Sequence, residues 1–232
     1  MKTINAAMFT KMIMAAAKML DINKEKINAL NVFPVPDGDT GINMSLTMQS
    51  AVKELKNCKS NRMNDIADAV SKGALRGARG NSGVILSRIF SGITKELSAL
   101  ESAGCADLMR GMSAGVGEAY GAVSVPVEGT ILTVFRDAVT YANARAGEHG
   151  GDINAYFDDL LSEMERSLER TPELLPVLSE AGVVDSGGAG LLYIFEGMRD
   201  ALLGKIDEKD SADTPVKGSG NAPDLSLFGP DS

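Results

Sequence analysis

Apolar residues return every three to four positions along most of the chain. Phe9, Met12, Ile13, Ala16, Met19 and Leu20 form the first series, at the spacing that places side chains on one face of a helix. The same period predicts helices over about 4–20, 43–56, 64–78, 82–100, 105–121, 129–146, 152–169, 173–181 and 187–203. Local chemistry marks some of the starts. Asp152 suits a cap for the helix through Tyr156, Leu160 and Met164. Thr171-Pro172-Glu173 reads as a cap, a first-turn proline and an early acid. Strand alternation is weak. Its best candidate, Val123-Ser124-Val125-Pro126-Val127, is short and contains proline. The pattern predicts an all-helical domain with short connections, spanning residues 1–204.

From residue 205 to residue 232 the chain turns to Asp, Lys, Ser, Gly and Pro, the composition of a flexible acidic linker or tail. Such a segment suggests downstream domains in a longer polypeptide. The 232 residues are 44% hydrophobic but only 5% aromatic, without Trp, which favours close-packed helices over a sandwich or barrel of strands. The net charge of −8 argues against a general nucleic-acid or anionic-membrane binder. No run of about 18 apolar residues is present, so no membrane span is expected. Lys11 and Lys18 interrupt the one N-terminal stretch that resembles a signal peptide. Cys58 and Cys105 are far apart and lack metal-ligand spacing, so reduced thiols in a cytoplasmic protein are expected.

Four polar loops interrupt the helical pattern. In Asn31-Val32-Phe33-Pro34-Val35-Pro36-Asp37-Gly38-Asp39-Thr40-Gly41, two prolines stiffen the approach to two carboxylates one residue apart. A plain turn with an acidic helix cap accounts for this loop. So does a magnesium site, which needs one or two carboxylates plus phosphates and water, with Asn43 adding an amide. A calcium loop fails, because its sixth and twelfth positions counted from Asp37 hold Ile42 and Met48. The second loop spaces Gly77, Gly80 and Gly83 three apart and sets Asn81 and Ser82 before an apolar run. Its helix start offers N–H groups to an anion, with Ser82 as cap or phosphate contact. No acid lies between Asp68 and Glu96, while Lys72, Arg76, Arg79, Arg88 and Lys95 do. Close packing at small residues is the simpler account of the glycines. The third loop brings Gly129 and Thr130, a helix start or a nucleotide contact. The fourth, Asp185-Ser186-Gly187-Gly188, suggests another anion-accepting start with a carboxylate able to approach a cation.

Several common sites are excluded. The chain lacks the phosphate-loop pattern G-x-x-x-x-G-K-[ST], a dinucleotide-binding G-x-G-x-x-G after a strand, and a nucleophile elbow around Ser82. Its one histidine, His149, sits in Ala146-Gly147-Glu148-His149-Gly150-Gly151 and reads as a solvated surface-loop residue.

Taken together, the four loops resemble the ATP-binding domain of the bacterial fatty acid kinase large subunit, which is similar in turn to the nucleotide-binding L subunit of dihydroxyacetone kinase. The resemblance covers about residues 1–204. It implies a closed up-and-down antiparallel barrel of about eight helices with ATP and magnesium, two ions, at one rim. Asp37 and Asp39 match the metal-binding aspartates, and Asn31 stands upstream where the dihydroxyacetone kinase pattern has a further aspartate. Thr40 replaces that pattern's histidine, a replacement the fatty acid kinases share. Gly80, Asn81, Ser82 and Gly83 match the phosphate loop, Thr130 a nucleotide-side contact, and Asp185 to Gly188 the last rim loop. Arg79 is a candidate for steadying transition-state charge. The implied reaction moves the γ-phosphoryl group of ATP to the carboxylate of a fatty acid held by a carrier protein. Glycerone phosphotransfer, or nucleotide binding without transfer, are the alternatives, and a homodimer is left open.

Overall fold

The apolar series become eight long helices among the described residues. A computed structural model describes residues 1–205. The helices are α1 Ala6–Ala29, α2 Thr40–Asn57, α3 Met63–Gly77, α4 Gly80–Leu97, α5 Cys105–Gly121, α6 Ile131–Arg145, α7 Ile153–Glu169 and α10 Ser186–Leu202. Two short helices, α8 Thr171–Leu174 and α9 Pro176–Ala181, lie within the connection from α7 to α10. Each long helix packs on its neighbours in sequence, and α10 packs on both α7 and α1, which closes the ring. Short connections reverse the chain each time. The expected antiparallel helical barrel is therefore the observed fold. The acidic segment expected from residue 205 onward lies, beyond its first residue, outside the described residues.

Three departures from the helical pattern have physical reasons. α1 runs past its expected end near residue 20, because a polar residue occupies the next position of its apolar stripe. Asn23 is buried there, its Nδ2 donating to the Met19 carbonyl at 2.9 Å, and Ile27 resumes the stripe. Segment 123–127 is an irregular loop, not a strand. Two short strands instead form elsewhere: β1 Thr3–Asn5 pairs antiparallel with β2 Ser102–Gly104, tying the N-terminus to the α4–α5 connection. Three residues are too few to show an alternation in sequence. Finally, Pro176 splits the helix expected over 173–181, since its ring and missing N–H prevent a continuous ladder.

Most of the aromatic residues among those described lie in the interior. Phe135, Phe157 and Phe195 come from α6, α7 and α10, with ring centroids 5.8 and 6.3 Å apart, and all are buried. Each such side chain contributes roughly 1.5–3 kcal/mol on burial. The seam that closes the ring is built from small residues. A Cβ on Gly197 of α10 would lie 2.7 Å from the Ala15 carbonyl oxygen of α1, so the two backbones meet almost directly.

One carboxyl group sits awkwardly in this framework. Glu196 of α10 has a buried Oε2 without a hydrogen-bond partner. Burial first, then the nearby Glu165 and Asp200 carboxylates, push its pKa up to about 8, against weaker pulls from Arg199 and Lys205. Because the folded value lies above the ordinary 4.5, the native state holds a proton that the unfolded chain releases. That contribution is complete below the ordinary value and is lost as pH rises through about 8. Replacing Glu196 by Gln should leave the melting temperature little changed at about pH 5 and raise it at about pH 9. Thermal melts of both proteins across this range test it; parallel curves would show that Glu196 titrates as an ordinary carboxyl.

Candidate functional site

The reversal of the chain fixes where the four polar loops meet. Connections 30–39, 78–79, 122–130 and 170–185 all follow a long helix running toward the same rim, and each precedes the start of α2, α4, α6 or α10. Contacts confirm the grouping. Ser186 at the start of α10 donates its hydroxyl to Thr40 Oγ1 at the start of α2, at 3.1 Å. Gly80 at the start of α4 packs on Asn43 in the first turn of α2; a Cβ there would lie 2.7 Å from Asn43 Nδ2. Gly80 also adopts φ +57°, open to glycine at little cost. Gly187 of α10 packs against Ile131 of α6.

Every helix start exposes backbone N–H groups that need acceptors. At this rim the four starts are served unequally. Asp185 serves two of them. Its buried carboxylate accepts from Gly188 N at 2.7 Å and from the N–H groups of Gly187 and Ile131. Burial nevertheless outweighs these bonds and pushes its pKa up to about 6. The α2 start is served across helices, by Asn28 Oδ1 of α1, which accepts from Gly41 N at 2.9 Å and Ile42 N at 3.2 Å. At α4 the N-cap position is held by Arg79, which makes no side-chain cap bond, and no other side chain among the described residues is seen to serve the start. Its first N–H groups and dipole end are thus available to an anion.

The carboxylate pair lies in the connection that leads into α2, whose first turn packs on this open start through Asn43 and Gly80. Asp37 is exposed and Asp39 half-buried. Asp39 occupies the N-cap position of α2 but makes no side-chain cap bond. Asn31 is buried; its Nδ2 donates to Asp37 Oδ1 at 2.8 Å, while its Oδ1 has no partner. A buried carbonyl oxygen without a donor costs free energy unless a donor or cation meets it. Two carboxylates one residue apart in sequence and an orphaned amide oxygen on the same loop would offer only oxygen ligands, which suits a hard divalent cation such as magnesium. Among the described residues no group of three or more His, Cys, Asp or Glu could hold a metal unaided. Magnesium bound with phosphates needs no such group.

The structure places the remaining expected residues as follows. Asn81 is exposed, Ser82 half-buried and Gly83 buried in the first turn of α4. Ser82 is not the cap, since the helix begins two residues earlier at Gly80. Thr40 and Ser186 are buried and bonded to each other, joining α2 to α10. Thr130 is buried and donates to the Val127 carbonyl at 2.7 Å. Asp185 was expected to offer its carboxylate to a cation, but here that group faces backbone donors. Thr171 is likewise no cap: its hydroxyl donates to the Leu168 carbonyl and accepts from Asp185 N at 3.1 Å. The expected positive zone is partly neutralised, Lys72 by Asp68 at 2.6 Å and Arg76 by Glu54 at 3.2 Å. Arg79 is exposed and donates only to the adjacent Ala78 carbonyl among the described contacts.

Sequence reasoning missed three participants. Asn28 lies beyond the expected end of the first helix, so its neighbourhood with α2 was hidden. Glu128 and Arg136 clamp the third loop: Arg136 Nη1 donates to both Glu128 oxygens at 2.9 and 2.8 Å. Burial opposes the ionised form of Glu128, yet the Thr133 hydroxyl and Arg136 hold its carboxyl below the usual range. An acid and a base eight residues apart across a loop carry no helical signature. His149 is not the free surface residue expected. Its Nε2 lies 2.8 Å from Asp159 Oδ2 of α7, in the α6–α7 connection at the end of the barrel opposite the rim.

Comparison with known proteins agrees with this architecture. The family model described as the DAK2 domain matches residues 34–200, and the chain belongs to that family. Protein YloV of Bacillus subtilis is 48% identical over 204 residues, covering 88% of this chain and 37% of that protein. A Staphylococcus saprophyticus protein is 46% identical over 214 residues, covering 91% of this chain and 38% of its own. The chain thus spans under two-fifths of these relatives' length. Among solved structures, the dihydroxyacetone kinase from C. freundii in complex with AMP-PNP and Mg2+ shares the fold. Its TM-score is 0.62 at 18% identity, covering 86% of this chain and 34% of that one.

The two capping roles make separable predictions. Asp185→Ala should cost about 2 kcal/mol or more, because it strips the acceptor from two helix starts. Asp185→Asn, which keeps one carbonyl oxygen, should cost clearly less. Ser82→Ala should stay within about 0.5 kcal/mol, since no cap is lost. Chemical denaturation of the three variants orders them; a loss at Ser82 equal to that of Asp185→Ala would contradict the capping assignment.

Proposed function

We propose that this chain is the ATP- and magnesium-binding unit of a phosphotransferase whose acceptor is the carboxylate of a protein-held fatty acid. The observation that carries the nucleotide part is the uncapped start of α4 at the same rim as the loop that holds two carboxylates and an orphaned amide oxygen. Membership of the DAK2 family supports it, as does the fold shared with a kinase solved with AMP-PNP and Mg2+. The acceptor part rests on the four loops' resemblance to bacterial fatty acid kinases. Asn31 and Thr40, where the dihydroxyacetone kinase pattern has aspartate and histidine, favour that branch over glycerone transfer.

In this reading the α4 N–H groups and Ser82 hold the phosphates, and Arg79 sets a positive charge at the same helix start. Asp37, Asp39 and Asn31 hold magnesium, which when bound neutralises phosphate charge. Phosphoryl transfer depends chiefly on positioning and charge neutralisation. The acceptor oxygen bonds to the γ-phosphorus, the bond to the bridging β–γ oxygen breaks, and ADP and acyl phosphate result. A carboxylate acceptor is already ionised near neutral pH, so no general base is required. The distance of His149 from the rim is consistent with this.

Asp37→Asn and Asp39→Asn should each weaken AMP-PNP binding about tenfold or more in the presence of magnesium, with helix content retained. Calorimetric titration with circular dichroism tests this; unchanged affinity in both variants would remove the metal assignment.

The chain by itself should transfer phosphate to free fatty acid slowly, because the four loops are short and polar in sequence and in this reading the acceptor is brought by another protein or by the rest of a longer polypeptide. Transfer assays comparing free fatty acid, fatty-acid-loaded carrier, and loaded carrier with a full-length relative of the same family test it. Fast turnover of free fatty acid by this chain alone would overturn the carrier requirement.

A further inference from the structure

We propose that Asn28 is a positioning residue for the carboxylate pair: by capping α2 from the neighbouring helix, it leaves the Asp39 side chain free to face a cation. The inference rests on the reading of Asp37 and Asp39 as magnesium ligands.

Asp39 stands where a helix normally recruits its own cap. Aspartate is among the residues best suited to that position, where its carboxylate accepts from the second or third helical N–H. In α2 those are the N–H groups of Gly41 and Ile42, because the helix begins at Thr40. Asp39 takes neither. Both go to Asn28 Oδ1, at 2.9 and 3.2 Å. The backbone of Asp39 still behaves as a cap, its carbonyl accepting from Asn43 N at 2.8 Å. Only the side chain has been relieved of the task.

Two further features make this arrangement specific. The Asn28 amide is oriented, since its Nδ2 donates to Glu25 Oε2 at 3.3 Å and so turns Oδ1 toward α2. The helices also meet closely enough for a short side chain to span them. A Cβ on Gly41 would lie 2.2 Å from the Lys24 carbonyl oxygen, so only glycine lets the first turn of α2 rest on α1. Without Asn28 the two N–H groups would lack an acceptor, and Asp39 is the carboxylate already at the cap position. Its capture there would turn one member of the pair toward backbone and away from a shared ion.

The test uses Mn2+ as a spectroscopic probe, titrated by electron paramagnetic resonance in the presence of AMP-PNP. Asn28→Ala should weaken Mn2+ binding about 10–100-fold, the range for loss of a residue that orients a metal ligand. Asn28→Asp, which keeps the acceptor, should restore most of that affinity. Asp152→Ala is the stability control. It removes the cap of α7, whose Asn154 and Ala155 N–H groups it serves at the opposite end of the barrel, and should leave Mn2+ affinity unchanged. Wild-type Mn2+ affinity in Asn28→Ala, with affinity lost in Asp37→Asn and Asp39→Asn, would overturn the role of Asn28 alone. Unchanged affinity in all three would remove the metal site itself. Hydrogen exchange gives an independent readout that does not depend on folding of the alanine variant. In Asp39→Ala, which removes any acceptor at residue 39, the Gly41 and Ile42 amides should keep wild-type protection, because Asn28 holds them; their deprotection would show that residue 39 is the working cap and would overturn the inference.

Discussion

The rim of this barrel is governed by the need to satisfy backbone N–H groups at helix starts. A bundle that reverses direction at every connection gathers half of its helix starts at one end, here those of α2, α4, α6 and α10. Their dipole ends converge there, and a cluster of positive ends favours negative groups. The chain answers three of the four with its own oxygens, from Asn28 and Asp185. The fourth, at α4, is left open. Among the described residues that start is the place at the rim where an anion would meet unserved N–H groups, in a chain of net charge −8.

Ring closure makes the arrangement durable. The starts of α2 and α10 are distant in sequence, yet the bond between Thr40 and Ser186 joins them across 146 positions. It can form because α1 and α10 pack backbone to backbone through Gly197 and Ala15. A side chain at residue 197 would push those helices apart, and overpacking of this kind commonly costs about 1–3 kcal/mol. The small residues that lowered the aromatic content are therefore the same ones that bring the rim loops into register. The far end is tied differently, by a strand pair too short to stand alone.

Much of this was legible in sequence. The 3.6-residue period located all eight long helices, because each buries a continuous apolar stripe. The four loops were legible too, since glycine, proline and aspartate punctuate a helical pattern conspicuously. What was not legible were relations between elements. Asn28 looked like any polar residue after a helix, and only the packing of α1 on α2 makes it a cap. Thr171 carried a strong cap signature, yet its hydroxyl joins the α7 end to the Asp185 backbone instead. Asn31 gave no local sign of its unpartnered oxygen, which follows from its burial beside Asp37. Local chemistry names the residues capable of a role; tertiary contacts decide which of them takes it.

Asp39 and Asp185 show how that decision falls. Both precede a hydroxyl residue and a glycine at a helix start, and by sequence either suits a cap or a metal ligand. Asp185 is buried, so leaving its carboxylate without donors would be costly, and it takes three N–H groups from two helices. Even so its pKa rises to about 6, which makes it a poor ligand to draw away from its donors: any cation would have to replace those bonds inside a dry wall. Asp39 is half-buried and its N–H groups are already satisfied from α1. Asp37, two residues earlier, is exposed. A divalent cation approaching Asp39 would therefore break no helix cap.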